Sequence, residues 1–580
     1  MKIIKNIMNE KTISLILAII AYATLSINGV IIAYNPLSWL LLFALIYAYT
    51  KVNIYNKEYF KASLIFSVIF SLLLTVGSTT MNAISSDISV FKQLMSIKIL
   101  ITYIGELTSI YVILINLLPK LCSYKISDWI TNWTSKKIFI TSFLIIFLSW
   151  IPYFLALYPG ELSPDSIGEL GIIINNFTHM TNHHPIIHTL LIAIPYSIGY
   201  GLFKSVNVGV AFYSVTQMII MSIMFSYFIT FLFKKKVSRW IIVICICYFA
   251  FIPMHAYYSV TMWKDIVFAG LLLVLTVKLI QICDNYDNLK FRNLIPFIII
   301  SLLATLFRNN AIYMYFILMI VTLIILKKKF KILLLSFLIV IASYYTITIP
   351  VFNLLNIERS SSSEYIGMPL QQIGRMAYKK VKFNKQEKKM LNNLMGIENI
   401  RKYYIAECAD GIKFNENYNR DYFDNNKVKF LKLWMGLVVK HPAVATEAYF
   451  ISTLGYWYPG VNNWTVIKGV ELNNYGVTRD SKLPTSFVNI IYKIESRGMP
   501  LINMTWSTAL AFWISAVFAY VCIKKRKKKY MIAYIPIFGI LVTMLIAAPT
   551  YAEFRYIYSA YTCLPLLMVL PYIKIKKENK

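Results

Sequence analysis

The sequence predicts an all-α polytopic membrane protein with about 14 transmembrane helices and a mainly helical extracytoplasmic domain. Of its 580 residues, 58% are hydrophobic and only 14% are charged, and the mean hydropathy is +0.61. Soluble globular domains carry about 25% charged residues. The apolar residues also occur in long runs separated by short basic loops, which is the pattern of successive membrane spans. An ordinary soluble enzyme is therefore excluded.

The net charge supports the same class. The chain has 58 basic and 26 acidic residues, a formal charge of +32. In a soluble protein this excess would indicate nucleic-acid binding. Here the densest basic runs, 327–331 and 524–529, adjoin apolar segments, where the positive-inside rule places lysines in the cytoplasm. We therefore expect the lipid bilayer, and no nucleic acid, as a partner.

Loop charge also predicts the topology. Apolar segments run from 12–27 to 556–573, about fifteen in all. If the basic loops are placed in the cytoplasm, spans counted from the N terminus and from the C terminus give the same topology only if one of these segments does not cross the membrane. The candidate is 186–203, which is short, follows a proline and is predicted to be an interfacial or re-entrant helix on the outer face. The protein is then a multi-pass plasma-membrane protein with cytoplasmic N and C termini.

This topology predicts four parts of the chain, of which the long outer segment has about 150 residues, enough for a small domain. The parts are 1–137, with about four accessory transmembrane helices; 138–352, a transmembrane core with its outer loop and juxtamembrane helix at 158–207; 353–503, the extracytoplasmic domain; and 504–580, with about three C-terminal transmembrane helices and a basic cytoplasmic tail.

Ionisable residues are costly at membrane depth, so those at the outer ends of spans are informative. Asp165 follows a Ser163-Pro164 turn just outside one span. A carboxylate held there can act as a general base or a metal ligand. The alternative is that Ser163 or Asp165 caps the helix that follows.

Histidines form the next polar group. His179, His183, His184 and His188 lie within ten positions and are four of the six histidines in the chain. The spacing of His184 and His188 is one helical turn, which suits a metal or a proton-sharing pair. No glutamate completes a zinc-protease helix here, so contact with substrate phosphate or sugar is the favoured interpretation.

Lysine and arginine occur with acids at three further outer positions. Lys264 and Asp265 could pair with one another, or Asp265 could join Asp165 around a divalent cation, Mg or Mn, while Lys264 meets an anion. Arg308 and Arg555 could extend to lipid phosphate or clamp the phosphate of a lipid-linked substrate.

Two remaining groups are candidate substrate contacts. Glu553 shares the last outer loop with Arg555. Gln371, Gln372 and Arg375 open the long outer segment, where amides and an arginine suit sugar hydroxyls and phosphate. A solvated amphipathic helix would give the same pattern.

The ordered motifs YPGELSPDS, NHHPIIH, WKD, RNN, PLQQIGR and EFRY resemble an uncharacterised family of integral membrane proteins from Gram-positive bacteria, grouped with the GT-C glycosyltransferases. The GT-C enzymes use sugars linked to polyprenyl phosphate. In the resemblance, Asp165 matches their first outer acidic position, 186–203 their juxtamembrane helix, Asp265 their second acidic position and 353–503 their outer domain. A departure is that Asp165 begins no DxD or DxE pair.

The resemblance implies an inverting glycosyltransferase that acts on the outer face. Its donor is a polyprenyl-phosphate-linked sugar, and its acceptor is a cell-envelope glycan, a teichoic acid or a protein. Asp165 is the expected general base, Asp265 a metal ligand or orienting group, and three cations are expected to bind phosphate: Arg308, Arg555 and Lys264. The expected substrate contacts are His183, His184, Gln371, Gln372, Arg375 and Glu553.

Two functions of other classes remain as alternatives. A transporter or flippase of lipid-linked glycans needs many spans, but such proteins usually have internal repeats and polar residues near the membrane midplane. A non-catalytic envelope assembly protein explains the outer domain but not polar groups gathered from five separate outer segments. Because the sequence contains no Gly-rich phosphate loop, a nucleotide-driven pump is disfavoured.

Overall fold

A computed structural model describes most of the chain: residues 10–28, 36–51, 56–86, 88–129, 131–359, 366–461, 468–495, 502–547 and 550–574. Within these ranges the secondary structure is helical, and extended pairing is limited to isolated bridges. The all-α class predicted from the sequence is therefore confirmed. The end of the predicted basic tail, after residue 574, lies outside the described residues.

Many of the helices are long and apolar enough to cross a bilayer. In the described part of the chain nine meet this test by length and composition, or ten if Arg239–Phe251 and Pro253–Ser259, bent by 52°, are one broken span. This bears out a helical, multi-pass membrane protein. The nine are Glu10–Ile27, Phe60–Ile84, Ile97–Ser123, Ser135–Ala156, Ile186–Phe203, Val206–Lys234, Lys264–Asp284, Lys327–Leu354 and Lys528–Ala547.

The predicted total of about 14 spans stays a prediction. Helix Ile186–Phe203 has the length and composition of a membrane span, although the loop charges predict that it does not cross. Conversely, several apolar helices are shorter than the roughly 20 residues that cross a bilayer of about 30 Å. They are Ser38–Thr50, Ile295–Phe307, Ala311–Ile325 and Leu510–Lys524.

The chain forms two compact units. The first comprises residues 1–124, 366–461 and 548–551, so it combines the N-terminal helices with much of the long segment predicted as one domain, 353–503. Its helices are Glu10–Ile27, Pro36–Thr50, Phe60–Ser86, Val90–Leu94, Ile97–Ser123, Gly367–Tyr378, Lys385–Leu394, Ile397–Tyr403, Asp410–Lys413, Arg420–Asn425, Lys427–Lys440 and Pro442–Trp457.

The second unit comprises residues 125–365, 462–547 and 552–580. We number its main helices α1 (Ser135–Ala156), α2 (Pro164–Ile174), α3 (Ile186–Phe203), α4 (Val206–Lys234), α5 (Arg239–Phe251), α6 (Pro253–Ser259), α7 (Lys264–Asp284), α8 (Ile295–Phe307), α9 (Ala311–Ile325), α10 (Phe330–Thr346), α11 (Thr485–Glu495), α12 (Leu510–Lys524), α13 (Ile535–Ala547) and α14 (Phe554–Val569). A π-turn, Ile347–Val351, and Phe352–Leu354 continue α10.

Helix α7 is the centre of the second unit. Of the 18 residues in its most apolar stretch, 83% are buried, the largest share among the candidate spans in the described chain. Its 21 residues extend about 30 Å, the thickness of a bilayer's hydrocarbon core. Lys264 and Asp265 lie in its first turn, whereas Asp284 ends it and pairs with Lys235 at 2.6 Å. The two ends of α7 therefore mark two separate polar regions of this unit.

Candidate functional site

The start of α2 is fixed against the start of α7. Ser163 caps α2, and Ser163 and Ser166 exchange backbone and side-chain hydrogen bonds. The Ser166 hydroxyl donates to the Met262 carbonyl at 2.7 Å, and the Trp263 indole N–H donates to Ser163 Oγ at 2.8 Å. The capping role thus belongs to Ser163, which leaves the Asp165 carboxylate available for other contacts.

Asp165 forms an ion pair with Arg555. Arg555 Nη1 donates to Asp165 Oδ2 at 2.7 Å, and its guanidinium lies 4.5 Å from the centre of the Trp263 ring. Burial alone would raise the pKa of Asp165, but the nearby positive groups, first of all Arg555, together with the hydrogen bond from Arg555 outweigh burial and hold that pKa below its ordinary value. The side chain remains 33% exposed. Asp165 is therefore an ionised carboxylate that solvent or a ligand can reach.

His184 links Asp165 to Lys264. Its Nε2 lies 4.0 Å from Asp165 Oδ1, and its Nδ1 lies 3.1 Å from Lys264 Nζ. Burial, and after it the positive charge of the nearby Lys264, lowers the pKa of His184 to about 4. At neutral pH the imidazole is thus uncharged and accepts a hydrogen bond from the lysine. Lys264 is directed to His184 rather than to its neighbour Asp265.

Asp265 faces an arginine. Arg308 Nη1 lies 3.5 Å from Asp265 Oδ1 and donates to the Tyr556 carbonyl at 2.8 Å. Asp265 is 1% exposed and Arg308 is 6% exposed, so this arginine does not extend to the lipid surface. Neither Asp265 oxygen accepts a hydrogen bond from any residue that the structure describes. A buried carboxylate with free acceptor positions is thereby kept beside a guanidinium.

Arg308 reaches this position because the backbone breaks there. Helix α8 ends at Phe307 and α9 begins at Ala311, so residues 308–310 form a tight polar turn. The guanidinium lies over the rings of Phe268 and Tyr556, at 5.4 and 5.3 Å from their centres. Aromatic faces stabilise a partly desolvated cation.

Glu553 completes the cluster, since its Oε1 lies 3.6 Å from Arg555 Nε and the residue is 2% exposed. Arg555 therefore lies between two carboxylates. Three acids and three cations from four separate chain segments meet in this part of the second unit, which we call the Asp165 cluster. Its members are Asp165, Asp265, Glu553, Lys264, Arg308 and Arg555.

A buried polar relay lies behind the cluster and was not foreseen from the sequence. Glu169 of α2 accepts from His188 Nδ1 at 2.8 Å, and His188 Nε2 lies 2.8 Å from the Tyr213 hydroxyl. Tyr213 donates to Gln217 Oε1 at 2.7 Å. The Gln217 amide in turn donates to backbone carbonyls just before α7, including that of Thr261 at 2.8 Å. The relay therefore ties α2, α3 and α4 to the loop that immediately precedes Lys264 and Asp265 at the start of α7.

His184 and His188 do not form the pair that their spacing allowed. His184 lies before α3 and contacts Lys264, whereas His188 lies inside α3 and contacts Glu169. His183 is exposed and packs edge-on against His184, with ring centres 4.5 Å apart. His184 contacts the Asp165 cluster, whereas His188 belongs to the buried relay behind it.

A second unforeseen contact fixes the loop before α2. Glu161 Oε2 accepts from the Gly469 N–H at 2.6 Å, and Glu161 Oε1 pairs with Arg479 and accepts from the Tyr492 hydroxyl. Burial raises the pKa of Glu161 to about 7, although Arg479 opposes the shift. The partners are more than 300 positions apart, so no local pattern could have predicted the contact.

Gln371, Gln372 and Arg375 lie in the first unit, where all three are buried. The Gln371 amide donates to the Ile405 carbonyl at 3.1 Å and that of Gln372 to the Ala445 carbonyl at 3.0 Å. Arg375 pairs with Glu447 at 2.6 Å. Within this unit the three side chains tie helix Gly367–Tyr378 to other segments, and their predicted role in substrate binding stays a prediction.

The donor set around Asp265 does not fit a divalent cation held by the protein alone. Among the described residues, no group of three or more His, Cys, Asp and Glu side chains is placed to hold a metal ion. The ionic partner of Asp265 is Arg308, whose charge repels a cation. The geometry favours arginine over metal at this point, and the predicted metal role of Asp265 stays a prediction.

A family model matches residues 172–580, which is most of the chain. The chain belongs to the family of unknown function DUF6020. The match includes His184, Lys264, Asp265, Arg308 and Arg555, whereas Asp165 lies seven positions before it begins. No curated protein and no solved structure matches the chain. The geometry of the Asp165 cluster is therefore the basis for assigning a function to this protein.

Proposed function

We propose that this DUF6020 member is an inverting membrane glycosyltransferase of the GT-C type. It transfers a sugar from a polyprenyl-phosphate donor to a cell-envelope acceptor on the outer face of the plasma membrane. The observation that carries the proposal is the ion pair at 2.7 Å between Arg555 and a partly exposed, ionised Asp165. A base and cations suited to phosphate thus lie together at the ends of apolar helices.

The reaction assigns a role to Asp165 and to the three cations of the cluster. The acceptor oxygen attacks the anomeric carbon as Asp165 takes its proton. The bond between the anomeric carbon and the phosphate oxygen breaks, and polyprenyl phosphate leaves with the electron pair. Arg555, Arg308 and Lys264 stabilise the negative charge that develops on the departing phosphate. No step requires a metal ion.

Arg555 couples donor binding to the strength of the base. While it pairs with Asp165, the carboxylate has a lowered pKa and is a weak base. A donor phosphate offers Arg555 a competing anion that can accept two of its N–H groups. Once Arg555 turns to the phosphate, the pKa of Asp165 rises and the carboxylate becomes a stronger base. Proton abstraction is thereby restricted to the complex that contains donor.

The geometry favours this function over a flippase of lipid-linked glycans. A transporter places its substrate site near the bilayer midplane, on broken helices of repeated halves. The Asp165 cluster instead gathers helix ends: the first turns of α2, α7 and α14 and the turn between α8 and α9. Such a cluster suits chemistry on a headgroup at the membrane surface.

The proposal is tested with purified protein in lipid nanodiscs and polyprenyl-phosphate sugars of the candidate classes, by measuring released polyprenyl phosphate. Wild type should turn over at least one donor, and Asp165→Asn should lower the rate by about 100-fold or more, as expected for a lost general base. The matched control is Asp480→Asn, at an exposed acid of the same unit. In cells, loss of the gene should leave lipid-linked sugar accumulated and an envelope glycan incomplete.

The outcomes separate the alternatives. Full transfer by a folded Asp165→Asn protein removes the proposed base. Movement of lipid-linked sugar between leaflets without cleavage of the phosphate bond would establish the flippase instead. Absence of both activities, with unchanged lipid-linked sugars in cells, would favour the assembly protein.

A further inference from the structure

The end of the second unit that lies away from Lys264 and Asp265 contains a cavity of about 510 Å³. Its wall is formed by the start of α1 and the ends of α4 and α7, all three of which are candidate membrane spans. The cavity therefore opens where apolar helices end, at the level of a membrane surface. The proposed transfer reaction gives this cavity no role, and neither does the description of the family.

Three lysines line this cavity, one from each helix: Lys136 of α1, Lys234 of α4 and Lys278 of α7. Among the described lining residues no side chain is acidic. The acid at this end of α7, Asp284, is paired with Lys235 at 2.6 Å and accepts from the Tyr530 hydroxyl at 2.7 Å. The cavity thus presents positive charge that Asp284 does not neutralise.

Lys278 is the most informative of the three. It lies within α7, about 9 Å of helix rise from the last residue, at a depth where a lysine is costly. It is half-buried, and its ammonium lies 4.9 Å from the centre of the Tyr227 ring. An aromatic face only partly replaces the hydration that the lysine has lost. An anion in the cavity would supply the missing counter-charge.

The other walls suit a ligand with an apolar part. Phe139 and Phe231 line the cavity from α1 and α4. The first turn of α1 also lies there, capped by Thr134, and the first N–H groups of a helix favour a negative charge. Lysines, helix N–H groups and phenylalanines together match a phosphate joined to a hydrocarbon chain.

We propose that this cavity binds the phosphate headgroup of an anionic phospholipid. The phosphate lies among Lys136, Lys234 and Lys278, and the first part of an acyl chain follows Phe139 and Phe231. The site is independent of the glycosyl transfer proposed above. It would keep an anionic lipid at the ends of α1, α4 and α7, at the opposite end of α7 from the Asp165 cluster.

The test measures retained lipid on the full-length protein by native mass spectrometry, after purification from nanodiscs of mixed phosphatidylglycerol and phosphatidylcholine. Wild type should retain phosphatidylglycerol in preference to phosphatidylcholine. The exposed pair of lysines allows a double variant that should fold, Lys136→Gln with Lys234→Gln. Each lysine removed should weaken the preference by about fivefold, since a lysine near a membrane surface contributes roughly 1 kcal/mol.

Two controls complete the experiment. Lys331→Gln removes an exposed lysine of α10 that does not line the cavity and should leave the preference unchanged. Lys278→Arg should keep the preference, whereas Lys278→Met should reduce it. A second arm adds excess inorganic phosphate: phosphate that displaces the lipid would assign the site to a soluble anion and overturn the lipid proposal. Equal retention of the two lipids by wild type, or an equal loss in the Lys331→Gln protein, would also overturn it.

Discussion

Two ion pairs of the same chemistry occur in the two units of this protein. In the first unit, Arg375 donates twice to Glu447 Oε1, at 2.6 and 3.0 Å, while Glu447 Oε2 accepts from the Val90 N–H at 3.0 Å. These two side chains are 3% and 4% exposed. In the second unit, Asp165 is 33% exposed and Arg555 is shared with Glu553. An ion pair that is buried and fully hydrogen-bonded stabilises the fold, whereas an accessible ion pair with neighbouring charges can exchange partners.

The largest effect on stability is expected at the closed pair. Arg375→Gln leaves the Glu447 carboxylate buried without its cation, which should lower the free energy of unfolding by about 3 to 5 kcal/mol. Thermal unfolding in detergent, followed by tryptophan fluorescence, measures the change. Adding Glu447→Gln to this variant should recover part of the loss, because the stranded charge is removed.

The matched variant in the other unit is Arg555→Gln. Water can reach Asp165, so the Arg555→Gln protein should lose less stability than the Arg375→Gln protein. Its rate of sugar transfer should fall far more than that of the Arg375→Gln protein. If the two arginine variants lost stability equally and both kept transfer, the distinction between a structural and a functional pair would fail.

The second expected effect is a pH dependence at Glu161. Its pKa is about 7 in the folded protein, above the ordinary value of 4.5, so the folded state holds the proton more tightly. The resulting stability is fully present below about pH 4.5 and is lost as the pH rises to about 7, by up to about 3 kcal/mol. Burial also raises the pKa of the neighbouring Glu495, which acts in the same direction. His184, whose pKa is lowered, acts in the opposite direction below about pH 6.5, so the loss is measured as the difference between wild type and Glu161→Gln in their unfolding temperatures at pH 5 and pH 8.

Glu161→Gln should flatten that dependence, and Asp480→Asn at an exposed acid should leave it unchanged. Asp165 does not confound the measurement. Its pKa is lowered, so its contribution is lost only as the pH falls below the ordinary aspartate range. An unchanged pH dependence in Glu161→Gln would place the titrating group elsewhere.

Charge at span ends is what made much of the candidate site predictable. Asp165, Lys264, Asp265, Arg308 and Arg555 stood out because ionisable residues beside apolar runs are costly, and the structure brings all five together. The helical class followed from the same runs. The sequence did not predict which polar residues pair with residues distant in the chain, because such pairs depend on how the helices pack.

Gln217 shows the limit in the buried interior. It lies inside a long apolar helix, and nothing local indicates that its amide binds the carbonyls before α7. Arg375 shows the opposite limit. Its pattern resembled a ligand contact because Glu447, which buries and pairs with it, is 72 positions away. Local sequence does not fix the number of spans for a similar reason, because tertiary contacts decide where short apolar helices end.

A smaller effect is expected at Arg308, on activity rather than stability. Its planar group contacts Asp265, the Tyr556 carbonyl and two aromatic faces at once. Arg308→Lys keeps the charge but cannot make these contacts together, so transfer should fall by about tenfold, which is about 1.4 kcal/mol. The transfer assay measures this fall. Arg239→Lys, at an exposed arginine of α5, is the control and should retain the wild-type rate.

The smallest effect is expected at His184, and it separates two roles for the imidazole. With a pKa of about 4, His184 is uncharged at neutral pH and serves as an acceptor for Lys264, not as a proton carrier. A glutamine oxygen can replace such an acceptor, so His184→Gln should keep transfer within about threefold of wild type, the effect of a slightly weaker hydrogen bond. The wild-type rate should likewise show no histidine titration between pH 6 and 7. A loss as large as that of Asp165→Asn would instead make His184 the proton acceptor and would leave Asp165 as the residue that orients it.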